Sequence, residues 1–199
     1  TDGFTGNIAL KTAEGTANFI TENLKSSLNK LSIIIPARNE VENLPECVTE
    51  IAQILIQHSI EHEILVIDDG STDNTCQVVE KMHEHFPTVT CISNNGRNGF
   101  GRAVRLGLQE FSGDAVAIMM ADLSDDPQDL VRYWRKLKEG HECVFGSRFL
   151  PNSQVIDYPK AKLIANRIVN TAIRYAFKIS CNDITNAFKI YRREVIEGC

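Results

Sequence analysis

At 199 residues, with 43% hydrophobic and 24% charged residues and a formal net charge of −5, the chain fits one domain with a substantial core and the profile of a soluble globular protein. It shows no apolar run long enough to cross a bilayer, and no basic start followed by an apolar block that would mark a signal peptide. The negative balance and the lack of an aromatic-basic platform argue against nucleic acid as a partner.

Residues 1–30 read as an N-terminal arm or short helix, in which Ile20, Leu24 and Leu28 recur at helical spacing. Leu31–Ile35 is a buried strand ended by Pro36, and Leu44, Val48, Ile51 and Leu55 mark a helix with Pro45 in its first turn. Ile64–Ile67 is the next strand. Asp73-Asn74-Thr75 supplies capping residues for a helix carrying Val78, Val79 and Met82. The alternation continues through a Val89–Ile92 strand, a Gly101–Phe111 helix, an Ala115–Met120 strand, a Gln128–Lys138 helix and a Cys143–Phe145 strand. Strands and helices in this order predict an α/β fold with a mostly parallel central sheet and helices on both faces. Right-handed crossovers place the strand C-terminal ends on one rim, where open α/β sheets bind ligands. The polar clusters Pro36–Glu40, Asp68–Thr75, Ser93–Gly99 and Asp122–Asp126 all fall on that rim.

From Pro159 onward, Leu163, Ile168, Ala172, Tyr175 and Ile179 form one apolar helix face, with Arg167, Arg174 and Lys178 on another. Such a helix can lie on a membrane surface or present a solvated charged face. Residues 151–199 hold eight Lys/Arg against four Asp/Glu, a net of +4, which leaves −9 for residues 1–150. Any phosphate site in the acidic part must therefore be built locally, whereas the basic tail, Lys189 to Arg193 included, can face a phosphate or an anionic membrane. The six cysteines form no CxxC pair and sit mostly in apolar segments, which reads as reduced thiols in a cytosolic setting. His83-Glu84-His85 reads as a solvated helix end rather than a metal site.

Adjacent carboxylates at a strand end, Asp68-Asp69, repel each other, so they fit a task such as accepting from a base N–H or ribose hydroxyls. Asp73 to Thr75 is explained by helix capping alone. Pro36-Ala37-Arg38-Asn39-Glu40 reads either as an ordinary strand-to-helix turn or as a nucleotide contact. Gly99 and Gly101 open a helix whose N–H groups can meet a phosphate. Val104 stands where a dinucleotide fingerprint would need glycine, so that reading is weak.

These clusters, in this order, resemble those of the family 2 glycosyltransferases of the GT-A (nucleotide-diphospho-sugar transferase) fold. The resemblance covers roughly residues 31–193 and is nearest to the dolichyl- and polyprenyl-phosphate sugar transferases. It implies a catalytic domain over residues 31–199, possibly truncated at its C-terminus. A UDP- or GDP-linked sugar would be held by Pro36, Ala37, Arg38, Asn39, Glu40, Asp68, Asp69, Gly99, Ala121 and Asp122. The family usually shows Asp-Ala-Asp where this chain has Met120-Ala121-Asp122, so a Mg²⁺ or Mn²⁺ ion would rest on Asp122, Ser124 and Asp125 without the first acid. Asp126 is either a further oxygen donor or only a helix cap before Pro127.

The resemblance further makes Asp122, Asp183 and Arg148 catalytic, and gives the acceptor phosphate to Arg148, Lys162, Arg167 and Lys189. Arg148 pairing with a surface acid is the plainer alternative. The implied reaction is inverting transfer to a polyprenyl phosphate at the cytoplasmic face of a membrane. A soluble enzyme using a hydroxyl acceptor, with Asp125 or Asp183 as base, and a non-catalytic sugar-nucleotide binder are the alternatives. Asp69 and Asp122 are expected to reach one pocket from neighbouring strands.

Overall fold

The computed structural model of the chain describes residues 28–147, 149, 160–178 and 181–199, with 160–163 described as backbone only. The arm apart from its last residues, Arg148, Pro159, Ile179 and the side chains of Lys162 and Leu163 lie outside that description. In chain order the elements are β1 (Lys30–Ala37), α1 (Leu44–Gln57), β2 (Glu61–Asp68), α2 (Thr75–His83), β3 (Val89–Ser93) and α3 (Phe100–Glu110). There follow β4 (Ala115–Ile118), α4 (Pro127–Lys138), β5 (Cys143–Phe145), α5 (Lys160–Phe177), β6 (Lys189–Arg192) and α6 (Arg193–Glu197).

The strands form one six-stranded sheet in the order β3-β2-β1-β4-β6-β5. β1, β2, β3 and β4 run parallel, while β6 pairs antiparallel with both β4 and β5. Alternate residues of the central strands feed two cores. Leu31, Ile33, Ile35, Ile64 and Val66 pack with α1, α2 and α4, and Ile34, Leu65 and Ile67 pack on the other face with α3 and α6. Burial on both faces explains why β1 is an unbroken apolar run. α3 approaches the sheet so closely that a Cβ on Gly107 would lie 2.6 Å from Ile34 Cγ2.

Four expectations are corrected here. Pro36 does not end its strand: β1 runs on to Ala37, with Pro36 opposite Ile67 of β2. Ile34 accepts from Met119 N, which places alternate residues, Pro36 among them, towards the β4 side. Pairing with β4 stops at Ile34, so the missing proline N–H deprives the ladder of nothing.

Second, Lys189–Arg192, read from the sequence as part of a basic tail, is the strand β6. It inserts between β4 and β5, so the run of parallel strands ends at β4.

Third, Arg192 and Arg193 do not face a phosphate or membrane. Arg192 is 1% exposed, donating to the carbonyls of His141 (3.0 Å) and Leu137 (2.5 Å) at the C-terminal end of α4. Arg193 donates to the carbonyls of Gly113 and Phe111 and stacks 4.2 Å from the Phe111 ring centroid.

Fourth, Cys76 and Cys91 are joined in a disulfide, not reduced, because the first turn of α2 packs on β3 with the two Cα atoms 5.7 Å apart.

Candidate active site

The parallel strands β1, β2 and β4 deliver their C-terminal ends to one rim, where the loops after β1, β2 and β3 are hydrogen-bonded to each other. The β1 ladder continues one residue beyond β2, with Asp69 N donating to Ala37 O at 2.8 Å. Asn39, in the left-handed region at φ 58°, donates its amide to Ser71 Oγ (2.9 Å) and accepts from Thr72 N (2.8 Å) through Oδ1. Glu40 N donates to Thr75 Oγ1 and Val41 N to Asp73 Oδ2. Asp73 also accepts from the Thr75 N–H and hydroxyl at the start of α2, whose N-cap position is held by Asn74 without a side-chain cap bond. Arg38 is left exposed beside this interlock.

The two adjacent acids have separate tasks. Asp68 Oδ1 accepts from Ser71 N at 3.0 Å and closes its own turn. Asp69, 5% exposed, reaches the β3–α3 loop: Oδ1 accepts from Asn94 Nδ2 (2.8 Å) and Oδ2 from Gly99 N (2.6 Å). A buried carboxylate given two N–H donors is thereby satisfied where burial alone would be costly. Gly70, at φ 75°, lets the Asn98 side chain pack against its backbone, where a Cβ would lie 2.7 Å from Asn98 Nδ2. Beyond Gly99 an open depression is lined by Asn98, Phe100, Gly101, Arg102 and Arg105. The sequence places Asn94 in a rim cluster but gives it no role, because its partner lies 25 residues earlier and only the fold joins them.

Asp122 stands past β4, exposed, with Oδ1 accepting from Ser124 N at 3.0 Å. β2 and β4 are not neighbours, contrary to expectation; β1 lies between them. Asp69 and Asp122 thus flank one strand, two strand spacings or roughly 10 Å apart across the sheet. Asp126 Oδ1 caps α4 at Gln128 N. The buried Cys47 thiol, in the first turn of α1, reports the local field. It is pushed up to about 12 by burial first, then by the charges of Asp122, Glu50, Glu40 and Asp125. Asp122, Glu40 and Asp125 thus lie within electrostatic reach of one buried thiol.

No cage of three metal-ligating side chains occurs among the described residues. Mg²⁺ ordinarily takes one or two carboxylates plus substrate phosphates rather than such a cage. Asp122, exposed and with only Oδ1 hydrogen-bonded, fits a cation shared with a diphosphate.

The far side of the rim is held through α5. Asn170, 1% exposed, accepts from Ile184 N (2.7 Å) and Thr185 N (3.2 Å) and donates to Asn166 O and Thr185 Oγ1. Thr185 in turn donates to Oδ1 of the fully buried Asp183 at 3.3 Å. Lys189 Nζ donates to Ile184 O at 2.9 Å. Burial lowers the Lys189 pKa, against the opposing influence of Cys181 and Asp183. Arg167 lies 5.6 Å over the Phe149 ring. The structure thus brings Asp183, Lys189 and their anchor Asn170 together. Asn170 gave no sequence signal beyond a polar residue in a helix.

A model of glycosyl transferase family 2 matches residues 32–199. Dolichol-phosphate mannosyltransferase of Pyrococcus furiosus is 32% identical over 85% of this chain and 48% of its own length. Polyprenol monophosphomannose synthase of Mycolicibacterium smegmatis is 32% identical over 83% of this chain and 62% of its own. The chain thus spans about half to three-fifths of these curated relatives. Among solved structures, glucosyl-3-phosphoglycerate synthase of Mycobacterium tuberculosis, in complex with Mn²⁺, UDP and glucosyl-3-phosphoglycerate, superposes with a TM-score of 0.63. It is 21% identical, and the match covers 94% of this chain and 64% of that one.

Proposed function

The chain belongs to glycosyl transferase family 2 and carries its GT-A fold, and from that premise we propose that it transfers a sugar from a nucleoside diphosphate sugar to a polyprenyl phosphate. The observation that carries the reading is the interlocked rim, where Asp69 ties the β3–α3 loop to β2 and Asp122 opens beside it. Relatives named for dolichol- and polyprenol-linked mannose support the acceptor class. Residues 31–199 form the catalytic domain in this proposal.

The nucleotide lies across the Pro36–Glu40 and Asp68–Asp69 loops, with the N–H groups that open α3 after Gly99 available to anionic oxygens. Ala121, 2% exposed, keeps the floor between the nucleotide and Asp122 small. A Mg²⁺ or Mn²⁺ ion held by Asp122, with Ser124 and Asp125 nearby, would offset charge on the departing diphosphate.

The acceptor phosphate has a second pKa of about 6, so it is largely ionised at neutral pH and calls for no strong base. What the protein must supply is compensation for two anions brought together. Lys189 is held near Asp183 for that role, with Arg148, Lys162 and Arg167 assigned to the same acceptor. Attack on the anomeric carbon from the face opposite the diphosphate inverts its configuration. A membrane surface is the location that belongs to the same proposal.

A thermal-shift screen of UDP- and GDP-sugars with and without Mn²⁺ tests the donor, since a ligand of the folded state raises its apparent stability. Transfer to polyprenyl phosphate, compared with hydroxyl acceptors, tests the acceptor. Sugar appearing only on hydroxyls refutes it. Met120, in the position of a usual acid, favours a second reading as a non-catalytic sugar-nucleotide binder. Asp122→Asn separates the two: the enzyme should lose about 100-fold or more in kcat, whereas unchanged turnover removes Asp122 from the mechanism.

A further inference from the structure

Among the α5 residues whose side chains are described, Asn170 alone is buried, while the apolar face of the helix, Ile164, Ile168 and Tyr175 included, stands exposed. Asparagine is a poor choice for the interior of a helix, where leucine would offer both apolar burial and better propensity. A buried amide is tolerated where its polar atoms are partnered, and here every hydrogen-bonding position is used. Oδ1 accepts from the backbone N–H groups of Ile184 and Thr185, and Nδ2 donates to Asn166 O and Thr185 Oγ1, both at 2.9 Å.

Two lines run from that amide to the ionisable groups beside it. Because Nδ2 supplies the proton received by Thr185 Oγ1, the hydroxyl is turned to give its own to Asp183 Oδ1. Ile184 is gripped at both ends, its N–H by Asn170 and its carbonyl by Lys189 Nζ at 2.9 Å. Lys189 is bounded on another side by the Phe145 ring, whose centroid lies 5.6 Å from Nζ. A buried polar network with every member satisfied rigidifies its surroundings into one arrangement. A single side chain of α5 therefore sets both Asp183 and Lys189.

We propose that Asn170 is the positioning residue of the acceptor side, holding Asp183 and Lys189 from α5 in the one arrangement that sugar transfer uses. At 1% exposed it is itself out of reach of a substrate, so it acts through those two groups. The inference rests on the reading that Lys189 faces the acceptor phosphate. It goes beyond that reading in separating the two halves of the site. The donor side is tied together by Asp69 at the end of β2, with β1 and β4 between it and β6, and is indifferent to Asn170.

The test combines two measurements on the full chain: kinetics with polyprenyl phosphate and whichever UDP- or GDP-sugar raises the melting temperature, and amide hydrogen exchange at Ile184 and Thr185. Asn170→Ala should lose about 100-fold in kcat, with the KM for the sugar nucleotide within about twofold of wild type. Adding Lys189→Gln should cost little more than either change alone, because the two residues act as one unit. In Asn170→Ala, exchange at both amides should quicken about tenfold or more. Thr185→Val, at an exposed position where the fold tolerates it, keeps both backbone bonds to Asn170 and removes only the link to Asp183. It should lose about tenfold in kcat with exchange at Ile184 unchanged. Undiminished kcat in either single variant, an equal loss of sugar-nucleotide affinity, or losses that multiply in the double variant would each overturn the proposal. A wild type that transfers no sugar refutes the enzyme instead, and exchange then judges the latch alone: equal protection of the two amides in wild type and Asn170→Ala overturns it.

Discussion

Glu63→Gln should destabilise the protein by an amount that depends on pH in a calculable way. At the N-terminal end of the sheet, the Glu63 carboxylate joins β1, β2 and the α3–β4 turn. Oε1 accepts from Ser32 Oγ (2.5 Å) and Ser112 N (2.6 Å), and Oε2 from Lys30 Nζ (2.9 Å) and Ser112 Oγ (2.7 Å). Burial raises the carboxyl pKa, but the hydrogen bonds from Ser32, Lys30 and Ser112 outweigh it and hold it at about 2, against an ordinary 4.5. With the side chain 16% exposed, that gap corresponds to roughly 3 kcal/mol, or about 2 after an allowance for screening.

The folded-state pKa is depressed, so this stability is complete above the unfolded value and drains away as pH falls towards the folded one. Glutamine cannot accept with both terminal atoms, and its NH₂ would face donors. Urea denaturation at pH 7 should therefore show Glu63→Gln about 2 kcal/mol less stable, with Tm lower by about 4–8 °C. At a pH near 3 the gap to wild type should shrink by more than half, because the wild-type carboxylate has then lost most of its advantage. A gap under about 0.5 kcal/mol at pH 7, or one that stays constant down to pH 3, refutes the assignment.

Other sites give independent tests. Reducing the Cys76–Cys91 bond, which closes 15 residues, should cost about 3 kcal/mol, read as a lower urea midpoint in dithiothreitol, and Cys91→Ser should abolish that sensitivity. Gly107→Ala should lose about 1–2 kcal/mol in the same assay despite alanine's better helix propensity, because the new methyl meets the buried Ile34. Asp69→Asn should weaken sugar-nucleotide binding about tenfold in titration calorimetry, since the amide cannot accept from both Asn94 and Gly99. Unchanged affinity would show that the β3–α3 loop is positioned without Asp69.

The parallel half of the sheet was legible because its physics is local. Leu31–Ile35 reads as buried because both its faces are covered, and the helices between strands show their own period. β6 was not legible: Lys189-Ile-Tyr-Arg looks like a basic tail, and only pairing with β4 and β5 buries Ile190 and Arg192. The rim loops could be placed, since chain direction alone sends them to one edge. Their wiring could not, because Asp69 to Gly99 and Asn39 to Ser71 are contacts across 30 and 32 residues. The apolar face of α5 was visible as a period, but a period does not say which way a helix is turned. The Cys76–Cys91 pair hid for the same reason as Asn94, its halves lying on different elements.

β5 has a single sheet neighbour, and that neighbour, β6, begins only at Lys189. As the polypeptide leaves the ribosome, β1 to β4 can assemble in order, while Cys143–Phe145 must wait for a strand not yet synthesised. The segments around Asp183 and Lys189 are fixed in the same late event. Sheet completion and fixing of the Asp183–Lys189 segment thus become one step, and under the proposed function a nascent chain stopped before residue 189 would carry the nucleotide side of the site without its acceptor side.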